Sequence, residues 1–219
     1  MDIEQILRRS DELDDVIVRM LDLDRYPEHG EDAQRMTLSV TAASLSIDHA
    51  RAMRALVADG FISSAAPLMR LQFESTTRSA WLLFAATEEQ ITLASAPLTA
   101  KADEAARKLP AAREMIKQLC NASSTVPAAA APAAMLGRFE EMQRHALNSF
   151  VHVGVHALRR HQDGFPQQLV WQLIECSNGL VTISAMMLAI LTGDRVLAAR
   201  MNRVHLGFED CLTPLLQSY

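Results

Sequence analysis

FISSAAPLMRLQFESTTRSAWLLFAAT, residues 61–87, reads as one long helix and sets the class of the whole chain. Ser63 and Ser64 can cap its start, and Pro67 is placed in an early turn, where a missing backbone donor is tolerated. Arg70, Glu74 and Arg78 recur at i, i+4 and i+8, so they stack on one side, and Trp81 extends that side. Leu71, Phe73, Leu82, Leu83 and Phe84 leave much of the remaining surface apolar. Two readings of the ladder stand open: a solvated salt-bridged ridge, or a buried Arg–Glu–Arg row facing a second polar helix. The apolar surroundings favour the buried row.

The flanking segments share the helical period. Asp2–Leu23 is amphipathic, with Ile3, Ile6, Leu7, Leu13, Val16, Ile17, Met20 and Leu21 on one stripe. Tyr26-Pro27-Glu28-His29-Gly30 breaks it. Residues 31–58 form the next helix, closed by Asp59-Gly60. Its small residues from Thr41 to Ser46 allow a neighbouring helix to come close. Residues 88–120 read as a connector and an exposed helix over Ala100–Leu119, interrupted at Pro110. Asn121–Ala134, NASSTVPAAAAPAA, reads as a flexible Ala/Pro loop. Helices are then expected over Met135–His161, Phe165–Thr192 and Arg195–Gln217. The expectation is an all-α bundle of about six to seven helices, one domain over 1–219, with residues 1–26 as an acidic N-terminal helix.

Composition agrees. Of 219 residues, 49% are hydrophobic but only 5% aromatic, with 11 Met. Such a core is built from Leu, Ala, Ile, Val and Met, which suit close-packed helices. The net charge of -5 is uneven. Residues 1–32 carry -7 and the remainder +2, which speaks against a general nucleic-acid-coating protein. Cys120, Cys176 and Cys211 are widely spaced and suggest free thiols in a reducing, cytoplasmic compartment. The acidic N-terminus does not resemble a signal peptide. Gly179–Thr192 is too short for a bilayer span, so a buried core helix is expected and no membrane partner.

The chemistry-bearing stretch is HALNSFVHVGVHALRRH, His145–His161, with four of the seven histidines. As one helix it would place Arg138, Glu141, His145, Asn148, Ser149, His152, His156, Arg159 and Arg160 on one side. Phe139, Ala146, Leu147, Phe150, Val151, Gly154 and Leu158 would face the other way. Gly154 inside a helix costs about 1 kcal/mol relative to Ala and implies a close neighbour. His152 and His156 have the spacing of zinc ligands. Val153 stands where the metalloprotease motif H-E-x-x-H has its glutamate. No metal and no cofactor are expected. No serine-nucleophile elbow or phosphate-binding glycine loop occurs.

Asn148-Ser149-Phe150-Val151-His152 resembles the N-x-x-x-H core of HEPN-type helical proteins, a superfamily that includes metal-independent ribonucleases. Leu147 stands where that pattern has arginine, and Arg144 lies one turn earlier. Arg200-Met201-Asn202-Arg203-Val204-His205 repeats the R-x4-H spacing. A longer resemblance joins Ile47-Asp48-His49-Ala50, Leu68-Met69-Arg70, Phe73-Glu74, Arg78-Ser79-Ala80-Trp81-Leu82, Asn148–His152, Gly154 and Arg159-Arg160. Over residues 40–192 the chain is similar to an uncharacterised bacterial all-helical family of unknown function, distantly HEPN-like, in which a glycine directly after the histidine is expected. A homodimer with a polar pocket between the third and fifth helices is expected. Arg70, Glu74, Arg78 and His156 would line it as ligand-binding residues. In a ribonuclease, His152 would act as general acid or base, Arg144 or Arg70 would bind phosphate and Asn148 would orient it. The leading expectation is an interaction or regulatory module whose polar residues fix helix register. RNA cleavage and small-ligand binding are the alternatives.

Overall fold

The computed structural model describes residues 2–21, 26 and 32–213, apart from the side chain of Arg144. Residues 27–30 of the proposed break, the side chain of Arg144 with its phosphate role, and residues 214–217 of the expected final helix lie outside that range. Among the described residues there are ten α-helices and no strand. The all-α class holds, and the helix number exceeds the six to seven expected because several long segments break into shorter ones. The helices are α1 (Ile3–Met20), α2 (Ala33–Ala58), α3 (Ile62–Phe84), α4 (Glu88–Ser95), α5 (Ala100–Ala106), α6 (Ala112–Ala122), α7 (Ala130–Val151), α8 (Val155–Asp163), α9 (Gln167–Leu191) and α10 (Arg195–Met201).

The core is a three-helix junction of α2, α3 and α9, with α2 and α3 packed along most of their length. Small polar residues allow this close approach, and their hydroxyls satisfy one another. Ser46 and Thr76 hydroxyls lie 2.7 Å apart, Thr76 and Ser184 3.0 Å, and Ser184 donates to Ser46 at 2.9 Å, which closes a three-hydroxyl ring across the three helices. One turn away, Gln72 Nε2 donates to the Ser177 carbonyl at 2.9 Å, while Ser177 Oγ donates to Gln72 Oε1 at 2.7 Å. Ser39 and Ser79 each donate to the other's carbonyl at 2.9 Å. Buried polar groups are costly unless paired, so these contacts fix the rotation of each helix about its axis.

α9 is 25 residues long and by length and composition could cross a membrane. It is apolar on nearly every side because α1, α2, α3 and α10 surround it. The capping box of Asp2 and Gln5 starts α1. Its apolar stripe buries Ile6, Leu13 and Ile17. Polar contacts pin both ends of α1. Asp14 Oδ2 accepts from Arg51 Nε at 2.6 Å and from Arg54 Nη2 at 3.0 Å on α2. Arg9 donates to Asp210 at 2.8 Å and to the Gly207 carbonyl at 2.7 Å, with its guanidinium over the Phe208 ring.

Three expectations need correction. Residues 121–134 are not all loop: Pro127–Ala129 forms a 3-10 turn and α7 starts at Ala130. Pro132 fits the first turn of α7, whose N–H groups have no intrahelical partners. The last helix stops at Met201, and 3-10 turns follow at Val204–Gly207 and Glu209–Cys211. The segment Met135–His161 is not one helix; α7 ends at Val151 and α8 begins at Val155.

Candidate functional site

The break between α7 and α8 has a defined geometry. Val153 adopts φ 53°, the left-handed region. His152 N–H donates to the Asn148 carbonyl at 3.0 Å, and Gly154 N–H reaches back to the Ser149 carbonyl at 2.7 Å. That six-to-one bond is the Schellman way of ending a helix, and Val153 occupies the position usually given to glycine. A β-branched residue there is strained by about 1–2 kcal/mol. Gly154 must be glycine for a different reason: an added Cβ would lie 2.7 Å from Ser149 Oγ and 3.3 Å from Ser149 Cα. Ser149 Oγ is fixed because it accepts from His156 N–H at 2.9 Å, and so caps α8 from the preceding helix. The close neighbour expected at Gly154 is therefore its own chain, one turn back.

This break decides where the polar stripe points. Along α7 the expected division holds in part: Phe139 and Leu147 are buried and Glu141, His145 and Asn148 face outward, but Val151, expected on the apolar side, is exposed and Arg138 is half-buried. His152 and His156 are also exposed, and they sit on different helices rather than one turn apart on one. Asn148, His152 and His156 therefore line no pocket with α3. Leu147, where the ribonuclease pattern has arginine, is 2% exposed and belongs to the core. Around the corner stand Arg159, exposed, and Arg160, half-buried, and Ser63 of α3 lies 3.3 Å from His161 Nδ1.

The corner is also apolar on its outside. Val153 is 66% exposed, Val155 73% and Leu158 58%, and Val151 is exposed beside them. Asp163 lies on α8 together with Arg159 and Arg160, so charges of both signs follow the valines along that helix.

The partner of α3 on α7 is Glu140, which the sequence reading did not single out. Arg70 Nε donates to Glu74 at 2.7 Å, and Arg70 Nη1 reaches Glu140 Oε2 at 3.4 Å. Arg70 and Glu140 are largely buried and Glu74 is half-exposed. The Arg70 guanidinium lies over Phe73, which stacks on Phe139 at 4.9 Å between ring centroids. Arg78 makes no ion pair among the described residues; burial lowers its pKa and the nearby charge of Glu74 opposes that shift. The ladder is thus an Arg70–Glu74 pair with a second carboxylate from α7, not an Arg–Glu–Arg row. Trp81 Nε1 donates to Gln118 of α6 at 2.7 Å. The helix period of α7 contained the signal for Glu140, since it lies next to Phe139 on the inward face.

Burial pushes the Cys176 and Cys211 thiols up to about 12, helped at Cys176 by the charge of Glu175 and at Cys211 by Asp210. Among the described residues no group of three or more His, Cys, Asp or Glu is placed to hold a metal ion.

Fold and surface together define an all-α bundle whose buried polar groups are largely paired, with Thr77 Oγ1, Trp171 Nε1 and Asn178 Oδ1 among the exceptions, and one exposed, strained corner of mixed polarity. A family of unknown function, DUF6988, matches residues 43–214, and the chain belongs to it. Neither the comparison with curated proteins nor that with solved structures found a match. The matched span runs from the middle of α2 to just beyond the final 3-10 turn and contains the whole α7–α8 corner.

Proposed function

We propose that the chain is an interaction module that pairs with a second copy of itself through the α7–α8 corner. The observation that carries this is Val153. It is a β-branched residue held at φ 53° with most of its surface in solvent. Strain of this kind persists where the surroundings require it. Glycine would relieve it, and nothing in the chain's own packing uses the valine side chain. Val151, Val155 and Leu158 extend the apolar surface. Asp163, Arg159 and Arg160 on α8 give charges of both signs, which suits a self-complementary two-fold contact. The buried pairs Gln72–Ser177 and Arg70–Glu140 serve to hold the presenting helices in register. Hydrogen exchange at two protein concentrations tests this. Amides of residues 152–160 should gain protection as concentration rises, while those of α5 should not. Equal exchange at both concentrations would count against the corner.

A second reading rests on a different observation. Asn148 and His152 are both exposed, one turn apart at the end of α7, with Arg159 and Arg160 close in the chain. Pairing at this corner would bring two such sets together, as in a metal-independent ribonuclease acting on RNA. His152 would then move the proton of a ribose 2′-hydroxyl, and Asn148 would orient the phosphate. Cleavage of RNA in the presence of a chelator, abolished by His152→Ala in a folded protein, supports this reading. Equal cleavage by the variant removes it.

A further inference from the structure

At the far end of α7 from this corner lies a cleft of about 260 Å³, between the start of α7, the second half of α9 and the chain after α10. Its long walls are apolar and unusually rich in thioethers: Met135 from α7, and Met186, Met187 and Ile190 from α9. Its other end is polar. Asn202 and His205 line it, and neither side chain has a hydrogen-bond partner among the described residues. They belong to the Arg200–His205 motif, which the corner does not use. No acid lines the cleft. From Arg195 to His205 the chain carries three arginines and no acid, while the nearby Asp210 is engaged by Arg9.

We propose that this cleft binds a small amphiphilic carboxylate, with its apolar chain along the methionines and its carboxylate at Asn202 and His205. An apolar cavity of about 150 Å³ holds benzene, so this one has room for about ten heavy atoms. Methionine walls adapt to an unbranched chain because the side chain is flexible and polarisable. The amide of Asn202 and the ring of His205 offer donors to an anion, and the segment that carries them, Arg195 to His205, bears three arginines and no acid.

The test uses octanoate and 1-octanol on the full chain with methyl-labelled methionines. Octanoate should shift the ε-methyl signals of Met135, Met186 and Met187 saturably and leave Met53 and Met115, buried elsewhere, unmoved. Ala131→Phe, at an exposed position on the rim, should weaken both ligands at least tenfold with the melting temperature unchanged. The Asn202→Ala/His205→Ala double variant should weaken octanoate about tenfold or more and leave 1-octanol within twofold. The absence of a saturable shift, or uniform shifts over all methionines, overturns the site. Equal loss for acid and alcohol in the double variant overturns the carboxylate assignment.

Discussion

Val153 and Gly154 are adjacent and carry opposite expectations. Val153→Gly removes the left-handed strain and should raise unfolding free energy by about 1 kcal/mol, less the extra backbone entropy of glycine. Urea denaturation measures it. Gly154→Ala should lower stability by about 1–2 kcal/mol, because its Cβ has no room beside Ser149. The sequence pointed at both positions without resolving them. A glycine in a helical pattern signalled a close neighbour, and valine after His152 departed from the expected glycine. Periodicity alone does not show that position 153 needs a positive φ, because Val fits the helical pattern of its neighbours. The cysteines give a third expectation at this scale. Exposed Cys120 should react with a maleimide in the native protein, while Cys176 and Cys211 should react only on unfolding. The buried thiols hold their protons up to about 12 when folded, against a usual value near 9. Unfolding therefore releases protons above pH 9, and their contribution to stability is complete below that pH and lost as pH climbs from 9 to 12. An alkaline melting series checks the sign.

Among the elements, α3 is the register key. It meets α2 and α9 through paired hydroxyls and amides, and α7 through Arg70 and Glu140. Gln72→Ala leaves buried Ser177 groups without partners and should cost about 2–4 kcal/mol, with a cavity adding to the lost hydrogen bonds. Glu140→Ala should cost more than Glu74→Ala, since Glu140 is buried and Glu74 half-exposed. About 1–3 kcal/mol is expected for the first and under about 1 for the second. Thermal melts of the two variants decide the order. The helical class, the glycine stop after α2 and the buried α9 were legible because apolar residues recur at helical spacing. The ladder was legible as a row on one face, yet i, i+4, i+8 spacing does not say which neighbouring helix brings the third charge. The polar stripe of α7 was separated in part from its apolar face. Its outward direction depends on packing, and its end at Val151 depends on a turn whose glycine position is filled by valine. The early start of α7 was hidden because alanine and proline in 121–134 suit a loop and a helix N-terminus equally.

At the scale of the whole molecule, the interior leaves little for a catalytic pocket between α3 and α7. Most of its polar groups are paired, and Asn148, His152 and His156 lie at the surface, while Arg70 is largely buried in its pairing with Glu74 and Glu140. α1 lies wholly before the family-matched span, yet it is bound into the bundle by Asp14, Arg9 and an apolar stripe. Leu13→Ala on α1 should therefore destabilise the entire chain by about 2–5 kcal/mol, as for other buried leucines, in one cooperative transition. What remains unused by folding is the corner at Val151–Leu158, strained and apolar among mixed charges. Sedimentation equilibrium of the native chain beside Val155→Asp measures its use most directly. The expected result is a dimer that the native chain forms reversibly as concentration rises, and a monomer for Val155→Asp with unchanged helix content and melting temperature. A native chain that stays monomeric at every concentration, or a variant that dimerises as well as the native chain, would contradict it.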